Sequence, residues 1–298
     1  MGDILFSYNV LYTLSQNFDR IGLCTSSQHA ELFEVFPIPR SEIIDYPPEN
    51  WPYLDRETIM KIERFQPDIG LLLPNSFGAA LAFRYAGIGH LYGYDSEKRG
   101  FLLERSMSVP AHKIHQTDYF SQLLKLFDLS AMEYPLMKPD SREKRILIHP
   151  GASKPPRAWS VDQFVRTAEG LKDRGYEVTF VSGESINTSP FFTIVRPTLK
   201  EFASLLRKSS LFIGNDSGPL HLAQQCGVPV VGIYGPGDPM ITGPRSISPG
   251  KTVYKGFPCS PCRQKFFKEC DPAPSGKPFC IETIAVQEVL KAASELLV

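Results

Sequence analysis

Residues 211–236 read LFIGNDSGPLHLAQQCGVPVVGIYGP, and the fold class follows from how that stretch is built. An apolar run, Leu211–Gly214, meets a polar turn at Asn215–Gly218. A segment with helical spacing follows, then a second apolar run, Val228–Gly235. Runs apolar on both faces and joined through a helix belong to parallel strands covered on both sides. Upstream, ILIHPG (146–151) and YEVTFVSG (176–183) read as further strands. Ser160 with Gln163, and Thr198 with Glu201, read as capping boxes that open helices. The first half repeats the alternation: helical character over 4–16, strands at IGLCTS (21–26), EVFPIP (34–39) and DIGLLLP (68–74), and a helix over SFGAALAFRYAG (76–87). IAVQEVLKAASELLV (284–298) reads as an amphipathic helix.

With 298 residues, the chain is long enough for two domains of about 100–200 residues each. The proline-containing, charged stretch EYPLMKPDSREKR (133–145) is the linker candidate. The expected organisation is therefore two Rossmann-like α/β domains facing a cleft, 1–138 and 139–298. Lys plus Arg and Asp plus Glu both number 32, so no global field points to nucleic acid as a partner. No window reaches the roughly 18 apolar residues of a membrane span, and no signal peptide is recognisable. The expected location is cytoplasmic, with any membrane contact peripheral.

The turn at 215–221 carries the chemistry. Ligands of parallel α/β sheets bind beyond the carboxyl ends of strands. Gly218 opens the helix without bulk and Pro219 suits its first position. The N–H groups of Leu220 and His221, with the helix dipole, would favour an anion such as a diphosphate. Read from residues alone, Asp216 and Ser217 serve equally well as simple helix caps. The turn is neither a Walker loop nor a dinucleotide fingerprint, and no Asp-x-Asp pair exists to clamp a metal on a diphosphate.

HPGASKPPRAWSVDQF, GNDSGPLHLAQQCGVPVVGIYGPGDP and TGP resemble, in order, the glycosyltransferase family that contains the ADP-heptose:lipopolysaccharide heptosyltransferases, family nine. LLLPNSFGAALAFRYAGI, GYDSEKRGFLL and HQTDYFSQLL extend the likeness over nearly the whole chain. The resemblance implies a GT-B fold whose first domain binds the acceptor and whose second binds a nucleotide sugar. It implies inverting, metal-independent transfer of heptose from ADP-heptose to a lipid-linked core oligosaccharide at the inner face of the inner membrane. It places the donor diphosphate against Asp216, Ser217, Gly218, Pro219, Leu220 and His221. Arg157, with Lys154 as its rival, becomes the cation for the leaving group, and Glu184 the partner of the ribose.

The family's Gly-Asp-x-Leu motif falls on Gly2-Asp3-Ile4-Leu5 and makes Asp3 the catalytic base, although Asp3 alone reads as an ordinary helix cap. Relatives carry a strand before this motif, so the first domain is expected to be a strand short. Asn75, Ser76, Lys98 and Arg99 are the acceptor-binding candidates, the two cations facing acid groups of the acceptor. A nucleotide-sugar epimerase or hydrolase on the same scaffold, and an inactive truncated relative acting as a binding protein, are the competing readings.

Cys259, Cys262, Cys270 and Cys280 form a C-x2-C-x7-C-x9-C cluster. Four thiolates at such spacing can close a structural zinc site, reduced thiols and redox pairs being the alternatives.

Overall fold

The computed structural model describes residues 1–50, 54–137, 140, 143–183, 186, 188, 190, 192–245, 248–262, 264–268 and 270–297. The chain divides into two compact units, Asp3–Tyr134 and Pro135–Val298. The division falls inside the charged, proline-containing stretch, just ahead of the boundary read from sequence.

The first unit opens with the helix Gly2–Asn17, whose Phe6, Val10 and Leu14 pack with Phe120 and Leu124. β1 (Ile21–Ser26) pairs in parallel with β2 (Ser41–Tyr46). A second parallel ladder runs β3 (Ile69–Leu72), β4 (His90–Asp95), β5 (Arg105–Ser108). The strand expected over 34–39 is not formed. Residues Ser27–Val35 are helical instead, and the strand begins at Ser41. Pro37 and Pro39 explain the shift, because neither can donate to a ladder and each fixes its own φ. The helix over Phe77–Tyr85 begins at Ser76, whose hydroxyl accepts from the Ala79 N–H at 3.2 Å.

The second unit is built on one six-stranded sheet of β6 (Glu143–His149), β7 (Glu177–Val181), β8 (Thr193–Val195), β9 (Ser209–Asn215), β10 (Val230–Tyr234) and β11 (Gly250–Tyr254). Every pairing is parallel, and the order is β11-β10-β9-β6-β7-β8. All five residues of β10 are buried, as a central strand covered on both faces requires. Trp159, Phe164, Phe180, Ile213 and Ile233 join the C-terminal helix residues Val289 and Ala293 in one core. The capping box at Thr198 is complete: its hydroxyl accepts from Glu201 N–H, and the Glu201 carboxylate accepts from Thr198 N–H at 2.8 Å. At Ser160 only the serine half forms.

The chain runs β6, β7, β8 toward one edge, then returns to the other side of β6 with β9. The sheet order therefore reverses between β6 and β9. In open parallel sheets, the crevice beyond the carboxyl ends at such a reversal is where ligands bind.

Candidate functional site

Two loops leave the carboxyl ends of β6 and β9 at this reversal: His149–Gly151, and the turn Asn215–Ser217. Asn215 is fully buried and ties them together. Its amide nitrogen donates to the Pro150 carbonyl at 2.8 Å, and its amide oxygen accepts from Trp159 N–H at 2.9 Å. The Trp159 indole N–H in turn donates to the Ile284 carbonyl at 3.0 Å. This web fixes the segment 154–159, and with it the position of Arg157.

Arg157 reaches the turn directly. One terminal guanidinium nitrogen donates to the Asp216 carbonyl at 3.0 Å and to its carboxylate. Asp216 is itself buried, at 6% exposure. Its other carboxylate oxygen accepts from the Thr242 hydroxyl at 3.0 Å and lies 3.7 Å from His221 Nε2. Burial opposes ionisation of Asp216. The His221 hydrogen bond, the Arg157 charge and the Thr242 hydroxyl together outweigh that penalty and hold its carboxyl below the usual carboxylate range. Asp216 thus holds Arg157, His221 and Thr242 in place from inside the turn. A side chain at Gly237 would run into the same carboxylate, so glycine there is what lets the loop after β10 close over Asp216.

The helix Gly218–Gln225 starts at Ser217, whose backbone is extended (φ −158°, ψ 166°) and whose side chain does not cap it. The Ser217 hydroxyl donates back to the Asn215 carbonyl at 3.2 Å. The Leu220 N–H, read from sequence as an anion donor, instead closes onto the Ser217 carbonyl at 3.0 Å. Pro219, the residue before Leu220, has no N–H, so Leu220 is the next available donor and its bond to the residue three back tightens the first turn. Lys154 is exposed, and Glu184 lies outside the described residues.

Three groups at this edge escaped the sequence reading: Asn215, Thr242 and His149. His149 ends β6, and burial pushes its imidazole down to about 4, so it is neutral near pH 7. The signal for Asn215 was present, a carboxamide terminating an apolar strand. Thr242 becomes visible only once the chain has folded.

The first-unit candidates differ in exposure. Asp3 is exposed in the first turn of its helix. Asn75 and Lys98 are exposed, whereas Arg99 is fully buried. No disulfide links the four clustered cysteines. They line one cavity of about 230 Å³ together with Phe257, Phe266 and Phe279. Burial first, then its three sister thiols, push Cys280 up to about 11. Among the described residues, no three His, Cys, Asp or Glu side chains are placed to hold one metal ion. The spacing brings the four thiols to one cavity. Among the described residues, no helix is long and apolar enough to cross a membrane.

The model of glycosyltransferase family 9 (heptosyltransferase) matches residues 57–270. A lipooligosaccharide heptosyltransferase 2 from Campylobacter jejuni is 24% identical over all of this chain and 95% of its own length. The solved structure of E. coli ADP-heptose LPS heptosyltransferase II superposes with a TM-score of 0.76 at 21% identity, covering 99% of this chain and 95% of that one. E. coli heptosyltransferase WaaC with ADP gives 0.73 at 13% identity over 99% and 96%. These two structures share the fold: paired α/β units with parallel sheets. A family match that spans most of the chain makes this protein a member of glycosyltransferase family 9, the heptosyltransferase family.

Proposed function

We propose that this glycosyltransferase moves heptose from ADP-heptose to a lipid-linked lipopolysaccharide core acceptor, with inversion and without a catalytic metal. The observation that carries the donor half is the Arg157–Asp216 pair, held at the amino terminus of a helix at the sheet reversal. Charge distribution agrees with it. The second unit contains 21 of the 32 Lys and Arg but only 15 of the 32 Asp and Glu, so its field favours an anionic donor. Arg157, with Lys154 outside it, would neutralise the departing ADP, and Gly218 and Pro219 would let the diphosphate approach the helix end. Ser217 and His221 would complete that wall, and Glu184 would take the ribose.

Asp3 would accept the proton of the acceptor hydroxyl. As that oxygen bonds to the anomeric carbon, the bond from that carbon to the phosphate oxygen breaks, and the electron pair leaves with ADP. The first unit would bind the acceptor, with Asn75 and Ser76 at the carboxyl end of β3. Transfer would occur at the cytoplasmic side, where a lipid-linked acceptor is presented from the membrane.

Thermal shift with ADP-, UDP- and GDP-sugars tests the donor assignment. ADP-heptose should raise the melting temperature by several degrees at about 100 times its Kd, where linkage gives roughly 2.7 kcal/mol. A larger shift with a UDP- or GDP-sugar would overturn the adenine assignment.

A further inference from the structure

Lys98 and Arg99 read in the sequence as cations for acid groups of the acceptor. The folded chain turns most of that charge inward. Arg99 Nε donates to the Tyr94 carbonyl at 2.9 Å, and one terminal nitrogen donates to the Pro74 and Ser76 carbonyls at 2.6 and 3.0 Å. These carbonyls belong to the loops that follow β3 and to the end of β4, so Arg99 is an internal staple joining them. The Glu97 carboxylate accepts from Phe77 N–H at 2.7 Å. It therefore occupies the amino terminus of the helix Phe77–Tyr85, the place where an incoming acid would otherwise be held. Lys98 is exposed, but Asp95 and Glu97 flank it and both are exposed as well. The first unit as a whole is net negative, with 17 of the 32 acidic residues and 11 of the 32 basic ones.

Beside those mutually flanking charges, these strand ends also present neutral polar groups. The Asn75 amide nitrogen donates to the Tyr119 hydroxyl at 2.6 Å, and Ser96 Oγ donates to the Asn75 carbonyl at 2.6 Å. The Tyr119 ring stacks on Tyr94 with centroids 4.4 Å apart. Burial pushes the Tyr119 phenol up, so it keeps its proton at neutral pH and can donate it onward. Beside Asn75, Phe77 packs against Phe101, a ring left 76% exposed. An exposed ring packed on Phe77, two residues along the chain from the Asn75 amide and its phenol partner, suits a sugar: the ring covers its apolar C–H face while the polar groups read its hydroxyls.

We propose that Asn75, Tyr119 and the Phe77–Phe101 ring pair form a saccharide subsite for a neutral, hydroxyl-bearing face of the acceptor, not for an acid group. The proposal rests on the reading of the first unit as acceptor-binding. It gives Arg99 a positioning role, and leaves discrimination among acceptors to hydrogen bonds, which reject a sugar lacking the matching hydroxyl.

Calorimetric titration of the full chain with a neutral heptose disaccharide, and separately with a carboxylate-bearing ulosonic-acid disaccharide, tests this without donor or turnover. The neutral sugar should bind the tighter of the two. Its affinity should change less than about twofold between about 50 and about 300 mM NaCl, since no charge pair is screened. Asn75→Ala and Phe101→Ala should each weaken it by about tenfold, equivalent to about 1.4 kcal/mol. Tyr119→Phe keeps the ring and isolates the hydroxyl, and should also weaken binding. Lys98→Ala should change it less than about twofold. Preference for the acidic sugar with a steep salt dependence, wild-type affinity in all three subsite variants, or no binding of the neutral sugar would each overturn the proposal. If the subsite results hold while acceptor-dependent ADP release is absent, the subsite stands and the transferase reading falls.

Discussion

Asp3→Asn is expected to lower kcat by about 10²- to 10⁴-fold, the usual contribution of a positioned general base, while the affinity for ADP-heptose stays within about twofold. The physical basis is the difference between the two ends of the reaction. Proton removal from the acceptor hydroxyl needs an accessible carboxylate, and Asp3 is exposed in the first turn of the helix Gly2–Asn17. That helix is anchored through Phe6, Val10 and Leu14 in the core of the first unit, so the carboxylate sits on a rigid support. Donor binding is assigned to the second unit and does not involve Asp3. A kcat effect without a donor KM effect is therefore the signature of the base. Calorimetry with ADP beside steady-state rates separates the two. An Asp3→Asn enzyme with wild-type kcat would move the base to another carboxylate.

Arg157→Met should cost about 10²- to 10³-fold in kcat/KM, the scale for losing one charge-stabilising donor at a departing oxyanion. It should also destabilise the second unit. The variant leaves Asp216, a buried carboxylate, with Thr242 and His221 as its partners among the described residues. Breaking a buried pair costs up to about 3–5 kcal/mol, and the partial exposure of Arg157 places the expected loss toward the lower end. Arg157→Lys should recover stability better than rate. A lysine can neutralise Asp216, but it lacks the planar fork that reaches a carboxylate and a phosphate together. Acid should mimic the stability loss. Asp216 ionises below the usual carboxylate range in the folded protein, so its contribution is full above that range. It fades as pH falls through the depressed folded value. Denaturation curves of wild type and Arg157→Met should therefore converge at low pH.

Much of the second unit was legible because its signals are local. The complete capping box at Thr198, Pro219 at the start of a helix, and the fully apolar β10 each report their structure within a few residues. The first unit was less legible at 34–39, where apolar residues suggested a strand and two prolines ruled it out. Paired side chains far apart in sequence were the hardest to read. Asp216 looks like a cap, yet its partner Arg157 lies 59 residues away. Arg99 looks like half of a solvated charge pair, and only the fold brings the carbonyls of residues 74, 76 and 94 around it. The cysteine spacing shows a similar limit. It grouped four thiols, but gave no sign of Phe257, Phe266 and Phe279, which share the cavity wall with them.

The central claim, heptosyl transfer from ADP-heptose, is tested most directly by ADP release measured with and without a deacylated core oligosaccharide acceptor. The prediction is release only when the acceptor is present, one ADP for each heptose found in the product, with the anomeric configuration inverted. Release at an undiminished rate without acceptor would identify a hydrolase, and no release from ADP-heptose with any core acceptor would contradict the assignment.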